Sequence, residues 1–285
     1  MPSLLAKSVD APPAAVGLLI GAYLERLRQA KNLGLAQAAG RAGMTGNRLN
    51  RIEAGLPPLR DDELKHLLDV YRSVCPPPVR DGTQKLLKSA DACSWDGCRD
   101  AEPGWVARLS SCEQAADSLR ICSHVVPGIF QTSAYALAYQ RALPQRPLRA
   151  SRIAATPRAL PVSHGKHITV YLDQRVLTLA HGGPATMAQQ LTHLLNVAQR
   201  GDAEILIVPY EAAVLGPSAP LSMLELHGQA LLIEESFAAV YSTGDDAARC
   251  CRQYLEPAAD GAHTAARSLD LLDAAQRAFQ RESTR

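Results

Sequence analysis

The chain has 285 residues, 47% of them hydrophobic and 20% charged, with a formal net charge of +2. That length and composition suit a globular protein with two cores and exclude a disordered chain. The charge is too mild to require a nucleic-acid partner by itself. No run of about 18 apolar residues occurs, so no helical membrane span is expected. The first residues lack the apolar core and cleavage pattern of a secretory signal, so the expected location is cytoplasmic.

Residues 1–16 are rich in Pro and Ala and read as a flexible N-terminus. Leu19, Ile20, Tyr23, Leu24 and Leu27 then recur at helical spacing, predicting a helix near 17–31. From Leu33 to Gly55 the pattern is helix, tight turn, helix. Ala38, Ala39 and Ala42 give the first helix a small apolar face, and Gly43 suits the sharp turn because only Gly takes positive φ without steric cost. Thr45 reads as the N-cap of the next helix, which buries Leu49 and Ile52. Gly46, Asn47, Arg48, Asn50 and Arg51 are left facing outward. Small residues at the crossing let such a helix project into a DNA major groove, where Asn and Arg match adenine and guanine edges. Pro57-Pro58 reads as an extended link, and Asp61 as the cap of a helix burying Leu64, Leu67, Leu68 and Tyr71. This closes a bundle over 17–73, in which nine Lys and Arg face six Asp and Glu. Cys75-Pro76-Pro77-Pro78 predicts a stiff polyproline linker over 74–84, with a second domain over 85–285.

The first segment resembles the Xre/Cro-type helix-turn-helix in Ala39, Gly43, Thr45, Leu49, Arg51, Ile52, Glu53 and Gly55. The resemblance implies a structural pair between Arg28 and Glu53, with Gly46, Asn47, Arg48 and Asn50 at bases and Thr45 and Arg51 near phosphate. It departs at Gly34 and Leu35, where the family has a hydroxyl residue and a phosphate-binding Gln. It departs again in the uncharged loop Leu56 to Leu59.

In the second domain Lys85 to Leu109 is weakly patterned, with Trp95 and Trp105 expected to pack the linker onto the larger domain. A short helix from Glu113 gives way to a strand over Leu119–Val126. Pro127-Gly128 marks a turn, and a helix over Ile129–Leu143 is expected to place Phe130, Ala134, Leu137 and Ala138 on one side. A strand over Ile168–Gln174, a helix over Met187–Leu195 and a strand over Glu204–Tyr210 follow. Short antiparallel strands are expected at Leu221–His227, Ala230–Glu234 and Ala238–Tyr241, turning at His227-Gly228 and Ser236. Helices from Asp245 to about Leu255 and from Thr264 to Gln280 complete the chain. The fold class is thus a mainly α helix-turn-helix bundle followed by an α+β domain, built as two flanked sheets or one mixed sheet.

Val126-Pro127-Gly128-Ile129-Phe130-Gln131-Thr132 with Tyr135-Ala136 is similar to the signature of the large C-terminal domain of actinobacterial Xre-type regulators. The later similarity runs through Ile168–Gln174, Gly183, Met187–Leu195 and Glu204–Tyr210, while Arg146–Lys166 departs most. The resemblance implies a transcriptional regulator with a small protein partner.

Seven cysteines in a chain expected in the cytoplasm argue for reduced thiols. Cys93, Cys98, Cys112, Cys122 and His124 lack the short paired spacing of structural zinc, so no metal is expected. No histidine has a nucleophile or acid at a motif spacing, so no catalytic residue and no cofactor are assigned. Gln131 and Thr132 could line a pocket at a helix N-terminus, or serve only a helix start shaped by Pro and Gly. The expected function is sequence-specific binding of double-stranded DNA by a homodimer whose second domain dimerises and senses a small-molecule ligand or protein partner. The alternative is an enzyme acting on a small molecule through the second domain, its helix-turn-helix a relic that no longer binds DNA.

Overall fold

A computed structural model describes residues 14–56, 58–90, 97–142, 158–161, 166–212, 219–235 and 238–284. Most of the N-terminus expected to be flexible (1–13), Pro57, Cys93, Trp95, Leu143, Ser236 and most of the Arg146–Lys166 run lie outside them. A helical N-terminal region leads into an α+β domain built on one mixed seven-stranded sheet.

The N-terminal helices are α1 (Ala15–Ala30), α2 (Leu35–Arg41), α3 (Gly46–Glu53), α4 (Asp61–Val70) and α5 (Pro77–Ala90). The apolar spacing of α1 puts Leu19, Ile20, Tyr23, Leu24 and Leu27 in the core, and α4 buries Leu64, Leu67 and Leu68. The expected polyproline linker is instead the start of α5. Pro77 and Pro78 fall in its first turn, where a helix has no use for their missing N–H groups. The Pro76 carbonyl accepts from Val79 N at 3.0 Å and Arg80 N at 3.1 Å. Cys75 just before it is fully buried, with its sulfur 3.4 Å from the Tyr23 hydroxyl. The segment expected to space the two halves thus packs against α1 and α4.

The sheet runs β1-β7-β6-β5-β2-β3-β4, with β1 (Gly97–Asp100), β2 (Ser118–Ser123), β3 (His167–Asp173), β4 (Glu204–Val208), β5 (Leu221–Leu226), β6 (Gln229–Glu235) and β7 (Ala239–Ser242). β2 is the seam, parallel to β3 (Leu119 opposite Ile168) and antiparallel to β5 (Leu119 opposite Leu224). The parallel strands need crossovers, supplied by α7 (Ser133–Ala142) and α8 (Pro184–Gln199). The β5–β6 hairpin turns at His227 (φ 50°) and Gly228 (φ 73°), the paired positive angles of a tight two-residue turn. Edge strand β4 is partly covered: Ile207 N donates to Ser268 Oγ at 2.9 Å, and Ile207 O accepts from His263 N at 2.9 Å. Ser268 belongs to α11 (Ala265–Ser283), which packs on α8 and buries Leu272 and Phe279 in the core.

The helix expected from Ile129 begins four residues later. Gly128–Phe130 form one tight 3-10 turn, Gln131 is extended (φ −76°, ψ 134°), and α7 opens only at Ser133. Its buried residues are Tyr135 and Ala136, whereas Ala134 and Leu137 are exposed. The break at Gln131 rotates the helix away from the phase read through Phe130.

The two halves are joined closely. α6 (Trp105–Ala115) of the second domain lies along α1 of the first, with Trp105 fully buried. Arg108 on α6 is also fully buried. Its Nε and Nη2 donate to the two Asp100 carboxylate oxygens at 2.7 Å each, and its Nη1 donates to Thr83 Oγ1 on α5 at 3.0 Å.

Candidate nucleic-acid interface

The helix-turn-helix is built from α2 and α3. Ala38, Ala39 and Ala42 are buried where the helices cross. Gly43 takes φ +71°, which lets Met44 N reach back to Ala39 O at 3.0 Å and close the end of α2. Thr45 then caps α3, its Oγ1 accepting from Arg48 N at 3.2 Å. Leu49 and Ile52 seat the helix in the bundle. Thr45, Asn47, Asn50 and Arg51 are exposed, and Gly46 and Arg48 are half-buried. Asn47, Asn50 and Arg51 stand at i, i+3 and i+4 on one outward ridge.

The far end of α3 is wedged against α1. Gly21 faces it so closely that a Cβ there would stand 2.5 Å from Glu53 O and 2.6 Å from Ile52 O. Arg28 closes the same corner. Its Nε and Nη2 donate to Glu53 Oε1 and Oε2 at 2.8 Å each, and its Nη1 donates to Leu33 O at 3.2 Å. Burial pushes the Glu53 carboxyl above its ordinary value against the pull of Arg28.

Arg48 does not stand free. Its Nε and Nη2 donate to Glu63 Oε1 and Oε2 at 2.8 and 2.6 Å, and Nη2 also donates to Pro58 O at 3.1 Å. Glu63 accepts further from Arg60 N and Nη2 at 3.1 and 3.2 Å. The Arg48 hydrogen bonds hold the Glu63 carboxyl below its ordinary value. This knot ties α3 to α4 across the loop in which the sequence shows no charge. Arg41, Arg51 and Arg60 are exposed on the helix-turn-helix, with Asp61 and Asp62 exposed beside Arg60.

Gln131 and Thr132 are used within the fold. Gln131 Nε2 donates to Val126 O at 2.8 Å, and Thr132 Oγ1 accepts from Tyr135 N at 3.3 Å at the start of α7. The fully buried Gln190 of α8 spans the same turn, accepting from Thr132 N at 2.7 Å and donating to Phe130 O at 2.8 Å. Gln190 escaped the sequence reading. Its signal was a polar residue in register with Met187, Leu191 and Leu194, all core. Arg158 left no such signal. It is buried between Glu113 (2.8 and 2.9 Å) and Glu235 (2.7 and 2.6 Å), tying residues 158–161 to α6 and β6. Among the described residues no three His, Cys, Asp or Glu side chains could hold a metal ion. No described helix is long and apolar enough to cross a membrane.

A family model described as a helix-turn-helix domain matches residues 19–77, and one described as a domain of unknown function (DUF5753) matches residues 106–274, more than half of the chain. The chain belongs to the DUF5753 family. No curated protein and no solved structure matches it. In this DUF5753 protein the helix-turn-helix match takes in α2, α3 and α4, and it points to DNA binding and regulation. The DUF5753 match begins inside α6 and ends inside α11, taking in six strands of the sheet.

Proposed function

We propose that the protein is a sequence-specific, double-stranded DNA-binding transcriptional regulator of the Xre/Cro type, acting in the cytoplasm as a homodimer. The observation that carries this is the exposed ridge of Asn47, Asn50 and Arg51 on a capped helix held rigidly from behind. Asn47 and Asn50 meet base edges, Gly46 lets the backbone come close, and Thr45 and Arg51 meet phosphate. Two such helices a helical turn apart would read a two-fold operator.

The DUF5753 domain supplies the dimer contact and senses a small-molecule ligand or a small protein partner. Support for sensing comes from an open groove of about 980 Å³ along the seam of α1 and α6, lined in part by Glu25, Arg26, Gln29, Ser110, Gln114 and His227. Glu25 lies 3.7 Å from Arg28, which holds the end of α3, so an occupant of the groove can bear on the recognition helix.

The test is a gel shift of the full chain on the DNA upstream of its own gene, titrated with salt. Binding that falls with salt and is lost in the Asn47→Ala/Asn50→Ala variant is expected. A folded protein that retains no genomic fragment refutes the reading. Sedimentation of the free protein checks the dimer.

A further inference from the structure

We propose that this recognition helix reads adenine through Asn47 and Asn50, and that Arg48 is a positioning residue held away from guanine by Glu63. The inference rests on the regulator reading above and names the base chemistry of its site. An arginine reads guanine by presenting two N–H groups together to O6 and N7. In Arg48 both groups of one such fork, Nε and Nη2, already point at the Glu63 carboxylate at 2.8 and 2.6 Å.

Withdrawing them would strand Glu63, whose side chain is only 8% exposed, with Arg60 as its remaining partner. Arg60 is 68% exposed and screened by water, so it cannot replace the lost pair. Glu63 is itself held in place, because it accepts from the Arg60 backbone N at the start of α4. The knot therefore fixes the angle at which α3 leaves α4, and it removes Arg48 from base reading.

The amides of Asn47 and Asn50 are exposed, and neither is hydrogen-bonded among the described residues. An Asn amide offers one donor and one acceptor side by side, the complement of adenine N6 and N7. Arg51 shares the ridge but lies toward the end of α3, where a recognition helix rises from the groove floor toward the backbone.

The experiment selects random-sequence duplexes with the full chain at fixed salt and sequences what is retained. Wild type should enrich two adenine positions in each half-site. One should flatten in Asn47→Ala and the other in Asn50→Ala, each losing about tenfold in preference. Both residues are exposed, so these variants keep the fold. The Arg48→Met/Glu63→Gln variant removes the pair without leaving a buried charge; it should bind all duplexes more weakly, because α3 is no longer tied to α4, yet enrich the same bases as wild type. Glu63→Ala, which frees the fork, should add a guanine position. A guanine selected by wild type and lost in Arg48→Met/Glu63→Gln overturns the inference and leaves the regulator reading standing. Selection without adenine at the Asn-dependent positions also overturns it. No enrichment by folded wild type removes both.

Discussion

Replacing Gly21 by Ala sets two effects of opposite sign against each other. In the interior of a helix, Gly→Ala gains about 1 kcal/mol of intrinsic helix stability. At Gly21, however, the new methyl would stand 2.5 and 2.6 Å from two backbone carbonyl oxygens, those of Glu53 and Ile52. Ordinary contact begins near 3.4 Å, so α1 and the end of α3 must part by roughly 0.9 Å. Overpacking of this kind typically costs about 1–3 kcal/mol, and backbone obstacles cannot rotate away as side chains can. The net is therefore a loss of up to about 2 kcal/mol, or a fall of up to about 6 °C in the thermal midpoint. Gly40 on α2 is the control, since a Cβ there meets nothing within 4 Å. Gly40→Ala should raise the midpoint by about 1–3 °C. Calorimetry of the two variants beside wild type isolates the steric term. Parting the helices also pulls Glu53 from Arg28 and tilts the recognition helix, so Gly21→Ala should weaken DNA binding as well. A Gly21→Ala midpoint that rises as Gly40→Ala does would refute the contact between α1 and α3.

Glu63 has a folded pKa below its ordinary value because Arg48 hydrogen-bonds to it. Its contribution to stability is therefore present above about pH 4.3, the unfolded value, and is lost as pH falls through the folded one. Buried Glu53 is shifted the other way and opposes it. The comparison that isolates Glu63 is wild type against Glu63→Gln: the wild-type advantage in thermal midpoint should shrink between pH 5 and 3, and a constant gap contradicts the assignment. Arg158→Met leaves the buried Glu113 and the partly buried Glu235 without their cation and should cost about 3–5 kcal/mol in urea unfolding. Adding Glu113→Gln and Glu235→Gln should recover most of it. On DNA, Asn47→Ala should cost about 1–3 kcal/mol without changing the salt dependence. Arg51→Ala should instead lower the slope of log K against log salt by about 1, and the opposite pattern would exchange their roles.

The elements that could be read from residue order are those encoded within a few positions of themselves. Ala38, Ala39 and Ala42, then Gly43, Thr45, Leu49 and Ile52, specify one helix, its turn and the next, because each acts on its own φ and ψ or on a face set by helical period. His227-Gly228 marks its hairpin, and Thr264 caps the last helix, for the same reason. What remained hidden are choices made by distant partners. Three prolines in a row suit polyproline equally with a helix start, and packing on α1 and α4 selected the helix. Arg48 finds Glu63 fifteen residues on, while Arg158 finds Glu113 and Glu235 at 45 and 77 residues' distance. The sequence alone thus determined that a capped helix carries asparagine and arginine outward. Only the tertiary structure decided which of those side chains is already held by another part of the chain, since a carboxylate's reach is set by distance in space and not by separation along the chain.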